Sequence, residues 1–136
     1  MHFINFIYFM VYCCVREDNN SQWPRHERAA YLIDGILAQI LFTLIMIVLG
    51  FLGVRMNHIL MWIILVVLTI FISFKIVNSY YITSGRYKNI IFFYEDASKS
   101  KRLLYVILSI LMFLSSFTLM FFGGMLMSYL LSLHLK

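Results

Sequence analysis

Two charged side chains, Asp34 and Lys75, lie in long apolar stretches of this chain. Asp34 precedes the uncharged run 35–54, and Lys75 lies in the last third of a second apolar stretch. Ionisable groups at membrane depth are costly and usually have a partner or a role. If the two stretches fold back on each other about Met56, the two side chains differ in height by about 4 to 5 Å, within reach of a lysine stem. Such a pair could line a cavity in which a cation or a proton displaces the partner.

The same residues also fit a purely structural role. Arg28 comes six positions before Asp34, and the two could pair locally near the start of a helix. A carboxylate at that position also interacts favourably with the positive end of the helix dipole. Lys75 could extend its ammonium group to the membrane surface. The sequence leaves both interpretations open.

Other residue types that could support chemistry are sparse. The sequence has no Ser/His/Asp set, glycine-rich phosphate loop or carboxylate pair that indicates an active site, so we do not expect an enzyme. Cys13 and Cys14 are adjacent and the four histidines are scattered, which is a poor basis for a metal site or a disulfide. The cysteines fit small apolar residues of a membrane segment, with acylation as the alternative in a eukaryote. We expect no metal and no cofactor.

The composition of the chain indicates that these residues belong to a membrane protein. Hydrophobic residues make up 62% of the 136 residues and charged residues 12%, whereas charged residues make up roughly 25% of typical soluble domains. We therefore expect an all-α integral membrane protein with the lipid bilayer as its surroundings. A transmembrane helix needs about 20 apolar residues, and three stretches are long enough: about 31–53, 58–81 and 103–133. The net charge of +5 comes without a dense basic run, so we do not expect nucleic acid as a partner.

Residues 1–15 form a further apolar segment that contains no charged side chain. Fifteen helical residues rise about 22 Å, which is short of the roughly 30 Å hydrocarbon core. We expect the segment to be retained, either as a short or tilted fourth segment or as a helix lying in the membrane interface. The polar linker 16–30, which contains the only proline, separates it from the membrane domain 31–136.

Basic residues predict the orientation of the chain. Three lie in the linker 16–30 and five in the loop 83–102, whereas only Arg55 and Lys136 lie at the opposite side. This excess places the linker and the loop in the cytoplasm and the C-terminus outside. Within the loop, the apolar patch 90–94 has helical spacing, but a strand-like or irregular segment fits equally well.

The last stretch contains a ridge of small residues, Gly124, Ser128 and Ser132, at intervals of four. Such a ridge lets another helix approach closely. It could pack within the protomer, join two copies of the chain, or have no role. Three helices can hardly enclose a water-filled path, so a transport role would require self-association. The expected partners are therefore a second copy or another membrane protein.

Two short motifs in this chain resemble those of the RDD family of small multi-span membrane proteins. The first span opens with Arg28 and then reads Ala-x-x-Ile-Asp, ending at Asp34. The loop after the second span opens with Gly85 and Arg86 and reaches an acidic residue, Glu95 or Asp96, about ten positions later. The similarity covers residues 25 to about 125.

The resemblance implies a membrane protein for which transport is one expected role, since cation/proton exchange has been proposed for some RDD members. The expected location is then the plasma membrane, which in bacteria is the inner membrane. The alternative is a non-transporting interaction module or an accessory subunit of a larger membrane complex. The charged residues expected to bind an ion or relay charge are Arg28, Asp34, Lys75, Arg86 and Asp96.

Overall fold

The computed structural model of the chain describes residues 3–15, 22–55, 59–94 and 98–133. These residues form helices joined by turns, which confirms the predicted all-α class. The elements are α1 (Phe3–Cys14), α2 (Arg25–Phe51), α3 (Ile59–Val77), a π-helical segment (Asn78–Thr83), α4 (Arg86–Tyr94) and α5 (Lys99–Leu133). Three helices are long and apolar enough to cross a membrane: α2, α3 together with the π-helical segment, and α5. Their bounds agree with the three predicted spans to within a few residues.

Helix α2 starts and stops at residues suited to those positions. Pro24 occupies the N-cap position and cannot donate a backbone hydrogen bond, and Glu27 lies in the first turn, where negative charge is favoured. At the other end Gly53 has a φ of 65°, a left-handed conformation that glycine adopts without strain. The amides of Gly53 and Val54 donate to the carbonyls of Gly50 and Leu49. These two bonds form a Schellman motif, which ends the helix.

The hairpin of α2 and α3 is antiparallel. The Phe42 ring packs near Trp62, and the Tyr31 ring, earlier in α2, stacks near Phe74, later in α3. The register differs from a simple reflection about Met56, because α2 ends five residues before that pivot and α3 begins three residues after it. Because of this asymmetry, the α3 residue that lies level with a given α2 residue has a lower number than the reflection predicts.

Helix α5 packs against α2 and runs parallel to it. The interface uses small residues: Gly123 lies against the Thr43 side chain, and a Cβ added to Gly50 would lie 3.0 Å from the Met127 Cα. Close backbone approach of this kind is typical of helix pairs in membranes. Helix α2 therefore packs against both long neighbours, whereas α3 and α5 share no substantial interface among the described residues.

The main hydrophobic core lies at one end of the hairpin. We call it the basic end, because α2 begins there and the π-helical segment leads into α4, with Arg25, Arg28, Arg86 and Lys88. The buried core residues come from α1, from the first part of α2, and from the chain between Val77 and Ile90: Tyr8, Phe9, Val11, Val15, Ala29, Ala30, Ile33, Val77, Tyr81 and Ile90.

The N-terminal segment is a helix that belongs to this core. Its 12 residues rise about 18 Å, too little to cross a core of roughly 30 Å alone. Tyr8 is fully buried and its hydroxyl donates to the His26 carbonyl at 2.9 Å. The Tyr81 hydroxyl also bonds to this helix, donating to the Ile4 carbonyl at 2.8 Å. Burial raises the pKa of the Tyr8 hydroxyl far above its ordinary value, so this group stays a neutral donor.

The loop between α3 and α5 contains a helix. Gly85, with a φ of 67°, separates the π-helical segment from α4. Its amide donates to the Ile82 carbonyl and its own carbonyl accepts from Lys88. The apolar patch at 90–94, for which the sequence left helical and extended forms open, forms the second half of α4 as far as Tyr94. Ile90 is the patch residue that enters the core, while Phe92 and Phe93 are exposed.

A carboxylate cleft between the first two long helices

Asp34 on α2 meets Ser73 on α3 at the basic half of the hairpin. The Ser73 hydroxyl is completely buried and donates to Oδ1 of Asp34, which is half-buried. The same hydroxyl also lies 3.0 Å from the Ile70 carbonyl in the preceding turn of α3. A serine hydroxyl carries one hydrogen, so Ser73 can turn it towards the carboxylate or back to its own helix. The carboxylate is thus held by a partner that can adapt to a change in its charge.

A cleft of about 240 Å³ opens beside this pair. Residues spaced three and four apart on α2 form one wall, and residues of α3 and the π-helical segment form the other. Its polar groups are two carboxylates, an amide and a phenol, and the remaining lining is apolar. The lining residues are Glu27, Ala30, Tyr31, Asp34, Phe74, Val77, Asn78 and Ile82. Since a water molecule takes about 30 Å³ in the liquid, the cleft has room for several waters or a partly hydrated cation.

The π-helical segment borders this cleft directly. Asn78, its first residue, and Ile82 both line the cleft, immediately after the last α-helical turn of α3. π-Helical turns are rare and occur frequently at functional sites. The wider turn at Asn78–Thr83 therefore gives the cleft wall a local backbone that differs from the rest of the hairpin.

Lys75 does not reach Asp34. Its ammonium nitrogen lies 5.0 Å from the centre of the Phe71 ring, and the residue is exposed. Lys75 follows Ser73 by two positions, which is about 200° around a helix, so the two side chains leave α3 in nearly opposite directions. The predicted Asp34–Lys75 pair is therefore absent from the structure. The hydrogen-bond partner of the Asp34 carboxylate is the Ser73 hydroxyl.

The other predicted charged residues that the structure describes, Arg28 and Arg86, lie apart from the cleft. Arg28 is half-buried in the first turns of α2, six residues before Asp34 and on a different face of the helix. The Arg86 guanidinium lies 4.2 Å from the centre of the Tyr80 ring and is exposed. Asp96 lies outside the described residues. Of the four predicted charge-relay residues that the structure describes, Asp34 is the one that lines the cleft.

Sequence reasoning missed two residues of this site: Ser73, the buried partner of Asp34, and Glu27, which lines the cleft. One sequence signal could have found Ser73: Thr69 and Ser73 are four residues apart in an otherwise apolar helix, and both are buried. Two hydroxyls at this spacing mark the α3 face that packs on a neighbour. In the sequence, Glu27 looks like an ordinary residue of a polar linker. It shares a helix face with Asp34 only because α2 extends back to Arg25.

A second polar link joins α2 to α5 further along the helix. The buried Ser116 hydroxyl contacts Oε1 of Gln39, and it also lies 2.7 Å from the Phe113 carbonyl. Hydrogen bonds between helices in a membrane replace contacts that lipid cannot offer. Helix α2 therefore carries one polar contact to each long neighbour, Asp34 towards α3 and Gln39 towards α5.

The small-residue ridge predicted on α5 is turned away from the α2 interface. Ser128 and Ser132 are exposed, and a Cβ added to Gly124 would meet nothing within 4 Å. The buried positions of α5 lie one residue away, at Gly123 and Met127. The sequence left open whether this ridge packs within the protomer. In the described residues, the ridge does not pack on α2.

Comparison with known proteins adds no relative. No family model matches the chain, no curated protein is similar to it, and no solved structure matches its fold. The resemblance to the RDD family therefore stays a prediction that depends on the motifs around Asp34 and Gly85 alone.

Proposed function

We propose that this chain is a subunit of an oligomeric membrane transporter and that Asp34 binds the transported proton or small cation. The observation that carries the proposal is the Asp34 carboxylate, which is held by the buried Ser73 hydroxyl beside a cleft of about 240 Å³. Ionisable side chains within membrane helices are rare and mark ion pathways and proton relays. The RDD resemblance supports the same assignment.

The donor set of the cleft favours a proton or a hard cation over an organic substrate. Glu27, Asp34 and Asn78 offer carboxylate and amide oxygens, the ligand types preferred by hard cations. The partner of Asp34 in the cleft is the neutral Ser73 hydroxyl, and the Lys75 ammonium lies over Phe71, so a bound proton or cation would supply positive charge at this carboxylate. The Ser73 hydroxyl can follow that change by turning between Asp34 and the Ile70 carbonyl.

The arrangement of the long helices supports self-association as part of this proposal. Helix α3 buries only Thr69, Ser73 and Val77, and it shares no substantial interface with α5 in the described part of the chain. A single copy therefore does not surround a path through the membrane. In the proposed assembly, neighbouring copies cover the exposed faces of α3 and α5 and complete the path, and the basic end faces the cytoplasm.

Ion flux into liposomes tests this function. We expect the wild-type protein, purified in mild detergent as an oligomer, to carry protons or monovalent cations, and Asp34→Asn to lower the rate at least tenfold. The amide keeps the size of the side chain but cannot bind a proton or balance a cation. Flux is followed with a pH-sensitive dye under imposed proton, Na⁺ and K⁺ gradients.

Lys75→Gln is the matched control for this prediction, because it also removes one charge from the hairpin. It should leave flux within about twofold of wild type, since the Lys75 ammonium lies over Phe71 and not beside Asp34. A monomeric protein without flux, or an Asp34→Asn variant with wild-type flux, would contradict the transporter proposal.

A second candidate function is a non-transporting module that docks a membrane partner through α5. The ridge of Gly124, Ser128 and Ser132 favours it, because α2 leaves this face uncovered. Such a module should lose its association when Gly124 and Ser128 are both replaced by leucine. It should keep that association when Asp34 and Lys75 are neutralised, whereas a transporter should lose activity when Asp34 is neutralised.

A further inference from the structure

An apolar groove lies between α3 and α5. It has a volume of about 340 Å³ and its floor is α2. Helices α3 and α5 form its two sides, and Ile4 and Ile7 of α1 also line it. The two sides do not close over the groove, because α3 and α5 share no substantial interface in the described residues. Representative lining residues are Ile36, Ile40, Ile76, Tyr80, Met112 and Leu119.

The dimensions of the groove fit the hydrocarbon chain of a lipid. Along α2 its lining extends from Ile33 to Ile40 and along α5 from Met112 to Leu119, which is about 10 Å of helix in each case. The basic-end half of the hydrocarbon core is about 15 Å deep, half of the roughly 30 Å total. A groove between two membrane helices that do not meet is open to the bilayer from the side. The bilayer itself therefore supplies an apolar occupant of suitable length.

A positive charge is fixed at the basic end of this groove. The Tyr80 ring lines the groove, and the Arg86 guanidinium stacks on that ring at 4.2 Å from its centre. Gly85 places Arg86 at the first position of α4, immediately after the turn that ends the π-helical segment. An arginine in a defined position can form paired hydrogen bonds to a phosphate, and basic sites between membrane helices bind acidic lipid headgroups.

We propose that this groove binds one anionic phospholipid of the basic-end leaflet, with an acyl chain between α3 and α5 and its phosphate at Arg86. Charge complementarity selects the anionic class, because a zwitterionic headgroup would place a cation near the same guanidinium. The groove adjoins the carboxylate cleft, with which it shares Val77, but the two differ in their α2 residues. Ile33 and Ile36 of α2 line the groove, whereas Ala30, Tyr31 and Asp34 line the cleft.

Lipid retention on the purified full-length protein tests the headgroup part of the proposal. Protein is reconstituted in nanodiscs with equal amounts of phosphatidylglycerol and phosphatidylcholine, released into detergent, and its bound lipids are counted by native mass spectrometry. Wild type should retain one phosphatidylglycerol in preference to phosphatidylcholine. Arg86→Gln should lower that preference about fivefold, as expected for loss of one basic residue at the surface.

Arg55→Gln is the matched control, because it removes the same charge at the opposite end of the hairpin. It should leave retention unchanged. Equal losses for Arg86→Gln and Arg55→Gln would show a general effect of net charge and overturn the site, as would equal retention of the two lipids by wild type.

A groove-filling variant tests the acyl-chain part. Leu119 lines the groove, and Leu119→Trp should reduce the retained phosphatidylglycerol by at least threefold, because the larger ring occupies the space of the chain. Leu126, seven residues further along α5, is exposed and does not line the groove, so Leu126→Trp should retain the lipid. Unchanged retention by a folded Leu119→Trp protein would overturn the groove as the binding site. Helix content by circular dichroism confirms that both variants are folded.

Discussion

Replacing Tyr8 by alanine should lower the free energy of unfolding by about 3 to 5 kcal/mol, the range for deleting a buried aromatic side chain. Tyr8 is fully buried, and its ring lies 4.4 Å from that of Tyr81. Its hydroxyl also donates to the His26 carbonyl. The alanine variant therefore loses one contact of α1 with α2 and one with the π-helical segment. Titration with a denaturing detergent, followed by circular dichroism, measures the change.

Tyr8→Phe separates the hydroxyl from the ring. It keeps the packing against Tyr81 and loses one hydrogen bond, so its cost should be about 0.5 to 1.5 kcal/mol. A loss below 1 kcal/mol for Tyr8→Ala would mean that α1 is not part of the core, and it would contradict the packing described for this helix.

Gly123→Leu should be the most disruptive single change at the contact between α2 and α5. A Cβ at Gly123 would already collide with the Thr43 side chain, and a leucine adds three further carbons. Thr43 cannot turn away freely, because its hydroxyl donates to the Gln39 carbonyl at 2.8 Å and its branched side chain has few rotamers. Overpacking costs about 1 to 3 kcal/mol in ordinary cores. We expect the upper part of that range, measured by the same titration.

The neighbouring glycine is the control for this prediction. A Cβ at Gly124 would meet nothing within 4 Å, so Gly124→Leu should change the stability of a single copy by less than about 0.5 kcal/mol. Equal destabilisation by the two variants would contradict the rotation of α5 seen in the structure. A Gly124→Leu effect on oligomeric state alone would instead favour association through the exposed ridge.

The contrast between these two glycines shows what the sequence can and cannot predict. The spans were predictable, because the length of an uncharged run determines whether a helix can cross the bilayer. The rotation of α5 was missed, because small and hydroxyl residues lie on more than one of its faces: Gly124, Ser128 and Ser132 recur every four residues, and the buried Ser109, Ser116 and Gly123 every seven. Neighbouring residues are 100° apart around a helix. The predicted ridge at Gly124 and the buried positions at Gly123 and Met127 therefore lie on different faces.

The candidate site shows the same limit. Asp34 could be singled out because a carboxylate in an apolar stretch is costly, and the hairpin placed α3 beside it. Its partner was missed, because residue spacing predicts height along the axis and rotation decides between Ser73 and Lys75. The four-residue spacing of Thr69 and Ser73 was the signal for that rotation. The position of α1 was also not predictable. Its tyrosines contact His26 and Tyr81, which are far away in the sequence.

Infrared difference spectroscopy on protein with isotope-labelled aspartate tests the role of Asp34 most directly. The chain has only three aspartates, Asp18, Asp34 and Asp96, so label-sensitive bands are few. We expect acidification, or addition of the transported cation, to change a carboxyl band reversibly in wild-type protein in bilayers. That band should be missing from Asp34→Asn. Identical difference spectra for wild type and Asp34→Asn would contradict the assignment of Asp34 as the ion-binding group.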